Sequence, residues 1–183
     1  MRTLGPGSLA SLLKILLDIA IVVMWGVLGL TSLIMVLAMV AGLFRLTGLG
    51  PELPEPILQF LQLDLAVALP MAMAAFVAVT FIVDRLRRIM ATLIAGDPFV
   101  PQNAGHLRAI AIAIIVYQVI RYGVNGVVAL IFTVFGRPVE TGVSIQPEFA
   151  LNVGAWIAVL ALFVLSEVFR EGARLRDEQK LTI

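Results

Sequence analysis

The stretch ILLDIAIVVMWGVLGLTSLIMVLAMVAGLF, residues 15–44, carries one formal charge, Asp18. A bilayer hydrocarbon core about 30 Å thick is crossed by roughly 20 apolar residues in a helix. Backbone groups in lipid must bond within their own segment, so an uninterrupted run of this kind reads as a helix rather than a loop. Arg2 and Lys14 precede it as they would in a leader sequence. Leader apolar regions, however, are only about 7–15 residues long, so a retained first span is expected. At about 1.5 Å per residue this run is too long to stand upright in the core, and it must tilt or protrude.

Working outward, three more runs have the same character: residues 65–83, beginning nearer Ile57, then 109–135 and 149–169. Over 183 residues the chain is 61% hydrophobic and 14% charged, too greasy for a soluble core of its length. Short segments of alternating polarity, as a transmembrane barrel requires, are missing. The expectation is an all-α integral membrane protein forming one membrane domain, residues 1–183. Its architecture would be an antiparallel bundle of four transmembrane helices, with spans at about 15–44, 60–83, 109–135 and 149–169. Helices 2 and 4 would extend into the cytoplasm, through a loop at 84–108 and a tail at 170–183.

Orientation follows from the Lys/Arg bias of short loops. With four spans, the ends and the middle loop share a side. That side holds Arg2, Lys14, Arg85, Arg87, Arg88, Arg108, Arg170, Arg174, Arg176 and Lys180. The opposite side holds Arg45 and Arg137, against Glu52, Glu55, Glu140 and Glu148. Both termini and the middle loop are therefore expected in the cytoplasm. The outer segments, residues 47–56 and 136–148, are rich in Pro and Gly and read as connectors, with Pro147 suited to the first turn of the fourth helix.

The middle loop contains GDPFVPQNAGHLR, residues 96–108. Gly96 is a natural C-terminal helix cap, and Pro98 pushes Asp97 out of the helical region. Pro101 suits the first position of the next helix. A turn that merely reversed the chain would be polar throughout, and Phe99 and Val100 are not. Two readings stand: they pack back against the projecting second helix or dip into the interface, or they form a docking knob for a partner. In the tail, Glu171, Arg174 and Glu178 lie three and four apart with alternating sign, as on a solvated helix face. The chain nevertheless ends apolar, with Leu181 and Ile183 around Thr182.

GDPFVPQNAGHLRAIA together with FREGARLRDEQKLTI resembles a family of small bacterial four-helix membrane proteins, domain-of-unknown-function family 2975. Gly96, Asp97, Pro98, Phe99, Asn103, Leu107 and Arg108 fit the first family pattern, G-[DS]-P-F-x-x-x-N-x-x-x-L-R. Phe169, Arg170, Gly172, Leu175, Glu178, Leu181, Thr182 and Ile183 fit the second, F-R-x-G-x-x-L-[RK]-x-[DE]-x-x-L-T-[VI]. Gly105-His106 departs from it, standing where longer basic residues are usual. The resemblance implies a protein of the bacterial inner membrane without enzymatic activity, often encoded beside a small Cro/C1-type helix-turn-helix protein. Asp97, Pro98, Phe99, Asn103, Arg108, Arg170, Gly172, Leu175, Leu181 and Thr182 are the candidate docking residues for such a partner. If the turn and the tail pack together, they present it one surface.

A second candidate lies inside the membrane. Gln118, Arg121, Tyr122 and Asn125 recur at helical spacing near the middle of the third span. A central arginine costs about 2.5–3.5 kcal/mol on the lenient insertion scale, so Arg121 should face the bundle and find a partner. Asp64 is the first choice, with Gln62 and Asn152 as further acceptors. Asp18 and Glu167 fit better with Lys14 and Arg170. The stripe reads either as structural glue or as a polar pocket of a small transporter or channel component.

Other chemistry is poorly supported. There is no cysteine and a single histidine, His106, so thiolate chemistry and histidine-rich metal clusters are not expected. No phosphate-binding glycine loop occurs. A net charge of +1 gives no reason to expect direct nucleic-acid binding. No cofactor is expected; the partners would be the lipid bilayer and the helix-turn-helix protein, with a homo-oligomer left open.

Overall fold

The computed structural model of the chain describes residues 9–47, 63–135 and 151–180. They form four helices: α1, Leu9–Thr47; α2, Leu63–Ile94; α3, Pro101–Phe135; and α4, Val153–Lys180. All four are long and apolar enough to cross a membrane. The architecture is all-α, four long apolar helices consistent with a membrane helical bundle. The shortest, α4 with 28 residues, spans about 42 Å at the usual rise and so exceeds the hydrocarbon thickness. Their outward faces are greasy: Val22, Trp25 and Met39 are 65–76% exposed, as suits side chains that meet lipid.

The described residues divide into two units. The first draws on Met1–Trp25, Ala78–Gln118 and Leu151–Ile183. Its core is Ile89, Leu107 and Ile110, with Leu86, Met90, Leu93, Leu162 and Phe169 packed against it. In α2 the spacing of Ile82, Leu86, Ile89 and Leu93 puts one stripe on a single helix face. Asp18 of α1 meets Arg87 of α2 at 3.3 Å. This corrects the expected pairing of Asp18 with Lys14: a residue one turn away on the same helix loses to a cation across the helix contact.

The second unit draws on Gly26–Val77 and Val119–Ala150. Its hydroxyl groups bond back onto their own helices: Thr31 to the Val27 and Leu28 carbonyls, Ser32 to Gly29, and Thr133 to Ala129. Such back-bonding lets a polar side chain sit in an apolar environment without a partner from another element. Val128 is buried here, and Pro70 lies within α2 with its ring exposed.

Where α2 ends, Ala95, Gly96 and Asp97 turn the chain. The Gly96 N–H donates to the Leu93 carbonyl at 3.1 Å, and the Asp97 N–H to the Thr92 carbonyl at 3.0 Å. That crossed pair, with Gly96 at φ 78°, is a Schellman motif, and it satisfies carbonyls the helix would otherwise orphan. Pro101 then opens α3 in the position where its missing N–H costs nothing. α4 begins later than the sequence suggested, at Val153 rather than Phe149. Asn152 is its N-cap, its Oδ1 accepting from the Ala155 N–H at 3.1 Å, in the place asparagine favours. The connectors at residues 48–56 and 136–148, with Pro147, lie outside the described residues.

Gly96 is the one described residue whose backbone requires the left-handed region, so Gly96→Ala should cost about 1 kcal/mol. Gly96→Asn should cost less, because asparagine tolerates that region. Thermal unfolding in mild detergent ranks the three proteins; an alanine variant as stable as the parent would contradict the cap.

Candidate functional site

Asn103, in the first turn of α3, has no exposed surface. Its Nδ2 donates to the Pro98 carbonyl at 2.8 Å and to Thr92 Oγ1 at 2.6 Å. Thr92 Oγ1 in turn donates to the Ile89 carbonyl at 2.7 Å. One side-chain amide thus ties the start of α3 to the turn and to the last stretch of α2. Thr92 stands eleven residues before Asn103, and nothing in the local spacing announces the pair.

With the turn fixed, Phe99 is held outward, 41% exposed. Its ring lies on α4. A Cβ added at Gly172 would stand 2.6 Å from Phe99 Cδ1 and 2.9 Å from Cε1, closer than real atoms approach. Glycine is therefore what lets the ring reach the helix backbone. The same ring tilts against Phe169, with centroids 5.6 Å apart and planes at 45°, a favourable aromatic geometry. Beside it, Arg176 of α4 forms an ion pair with Asp97 of the turn. One helical turn on the other side, Ser166 Oγ donates to the Ala104 carbonyl at 2.9 Å in a buried setting.

The structure thus joins Asp97, Pro98, Phe99 and Asn103 with Gly172, and adds Phe169, Arg176, Ser166 and Thr92, which were not among the candidate site residues. Phe169 was visible in the tail motif. The pairing of Asp97 with Arg176, 79 residues apart, had no local signal. Arg108 and Leu175 are exposed. Arg170 is exposed and pairs with Glu167 on its own helix, as charge spacing suggested. Arg174 pairs with Glu171 at 2.8 Å and with Glu178 at 3.4 Å along the same helix. Leu181, Thr182 and Ile183 lie outside the described residues.

The intramembrane candidates are divided. Gln118 belongs to the first unit, 2% exposed, with its Nε2 buried and unpartnered. Arg121 and Asn125 belong to the second and are half-buried. Asp64 falls within α2, but its side chain lies outside the description, as does Gln62 entirely. Asn152, the other suggested acceptor, uses its Oδ1 to cap α4.

The Phe99–Gly172 contact makes a direct prediction. Phe99→Asp and Gly172→Leu should each speed tryptic cleavage at Arg174 and Arg176 severalfold, a change of about 1 kcal/mol in local opening. Gly172→Ala, which the ring can accommodate by swinging toward solvent, should do so less. Equal cleavage rates in all four proteins would mean that the contact does not hold the tail.

No curated protein and no solved structure matches the chain significantly. A family model does match, over residues 50–183, which takes in α2, α3, α4 and the whole turn–tail junction. The chain belongs to the family DUF2975, described as a protein of unknown function.

Proposed function

We propose that the protein is a non-enzymatic membrane protein whose turn and tail together dock a small DNA-binding regulator at the inner face of a bacterial cytoplasmic membrane. The single observation that carries this reading is the junction itself. Phe99 seated over Gly172, with Arg176 against Asp97, makes two sequence-distant segments one surface. Around that junction Phe99, Arg108, Arg170 and Leu175 remain exposed, a mixture of apolar and cationic groups of the kind interfaces favour.

Threading supports the same side for all of it. The four helices run antiparallel in this reading, both termini lie in the cytoplasm, and α2 and α4 extend beyond the hydrocarbon on that face. Ten cations gather there in the count of short segments, which is the bias that sets orientation. A fluorescent-protein fusion at the C-terminus should fluoresce, and an alkaline phosphatase fusion there should be inactive. The opposite pattern would turn the junction outward and remove the proposed partner's access.

The docking itself is tested by purifying the tagged full-length protein from its native membranes and identifying what accompanies it. A helix-turn-helix protein should co-purify and be lost from Phe99→Asp and from a chain ending at Ala173. If the regulator is abundant in the cell yet absent from the purified sample, docking is refuted.

A second reading is a small transporter or channel component working through the polar stripe. Gln118 favours it, because a buried amide nitrogen without a protein partner is a group that a ligand would satisfy. Arg121→Leu separates the two: it should leave regulator binding unchanged under the first reading and abolish a solute-dependent response under the second.

A further inference from the structure

The arginines at the end of α2 are not equivalent. Arg87 meets Asp18, and Arg88 meets Asp84 through Nε at 2.9 Å. Arg85 takes neither acid. Its guanidinium carbon stands 4.7 Å from the Phe81 ring centroid, and its Nε is buried without a partner. Asp84 and Arg85 lie three and four residues after Phe81, and Arg88 lies four and three after them, so the group shares a face of α2. From α3, His106 has its pKa lowered by burial first, then by the charges of Arg85 and Arg88, with Asp84 opposing. Two guanidinium groups and an imidazole thus share one carboxylate, and Arg88 already occupies it.

We propose that Arg85, Arg88 and His106 form a binding site for the phosphate of an anionic phospholipid. A guanidinium is a planar fork that matches two phosphate oxygens at once, and Arg85 is free to offer its outer N–H groups. The aromatic ring beneath it holds the stem along the helix, which lowers the entropy lost on binding. The neighbourhood selects a lipid over a soluble phosphate. Phe81 is 37% exposed one turn toward the apolar run, which ends at Val83, so a ligand bridging Arg85 and Phe81 needs an apolar part beside its phosphate. This site depends on the membrane setting of α2 but not on the docking of a regulator.

The test is a titration of the purified full-length protein, in a zwitterionic detergent, with phosphatidylglycerol. Phosphatidylcholine, whose zwitterionic headgroup has no net charge, serves as the net-neutral arm, and inorganic phosphate and glycerol phosphate as the soluble arms. Bound lipid is read by native mass spectrometry and by the shift of the thermal midpoint. Phosphatidylglycerol should bind and stabilise where the other three do not. Arg85→Gln should weaken that binding about fivefold, while Arg174→Gln, whose guanidinium pairs with Glu171 and Glu178 on its own helix, should not change it. Should Arg85→Gln fail to accumulate, Arg88→Gln and His106→Gln are read in the same way.

Equal binding of the two lipids, or undiminished phosphatidylglycerol affinity in these variants, overturns the site. An equal shift with inorganic phosphate or glycerol phosphate overturns the lipid as its ligand. Loss of a co-purifying protein from Arg85→Gln, with lipid affinity intact, would assign the cluster to protein docking and overturn the proposal as well.

Discussion

A packed helix pair must reverse direction without leaving buried backbone groups unpaired, and here that burden falls on the few residues between Thr92 and Asn103. The last carbonyls of α2 are met by the N–H groups of Gly96 and Asp97, and the proline at the start of α3 removes one orphan donor. What remains is the carbonyl of Pro98 inside the turn. Asn103 reaches back to it with a side chain that has no exposed surface and bonds Thr92 with the same nitrogen. Replacing that amide would leave a buried carbonyl unsatisfied, at a cost of about 1–3 kcal/mol. The packing of Ile89 on Leu107 and Ile110 is less selective, since apolar side chains of similar size fit many neighbours.

That last point orders the other contacts. Between helices in a bilayer, hydrogen bonds, ion pairs and close approach at small residues do the discriminating. The first unit uses each of these. Ser166 bonds the Ala104 carbonyl, Asp18 meets Arg87, and Gly172 admits Phe99. The hydroxyls of the second unit bond back into their own helices. Ser166, bonding across helices, specifies a neighbour; Thr31 and Thr133, bonding back into their own helices, do not. The sequence does not distinguish the two uses, because the residue types are the same.

Legibility divides along the same line. The helices were legible because a run of apolar residues in lipid has one solution for its backbone. The cap at Gly96 and the start at Pro101 were legible because each residue has a single strong reason to sit there. The N-cap at Asn152 was missed because the apolar run continues on both sides of it, so length outweighed a local signal. Asp18 was assigned to the wrong cation because spacing along a helix is visible in sequence and spacing across helices is not. Gly172 stood out in the family resemblance, yet its reason appears only when Phe99, 73 positions earlier, is seen over it. The stripe around Arg121 was legible as a pattern, and its members fall in different units of the structure.

The junction of turn and tail shows why shape outranks charge in setting where α4 lies. Arg176 and Asp97 are each about one-third exposed, so their pairing is worth little more than a surface ion pair, about 0–1 kcal/mol. Arginine is long and can follow an aspartate over several positions. Phe99 has less latitude: its ring fits where a Cβ is missing, and Glu171 and Ala173, on either side of Gly172 in the α4 sequence, carry one. A shift of α4 by one residue in either direction would put a side chain under the ring. Ser166 confirms the same register from six residues away, because its hydroxyl must arrive opposite the Ala104 carbonyl. Two short-range fits therefore fix the helix, and the ion pair is free to form because they do.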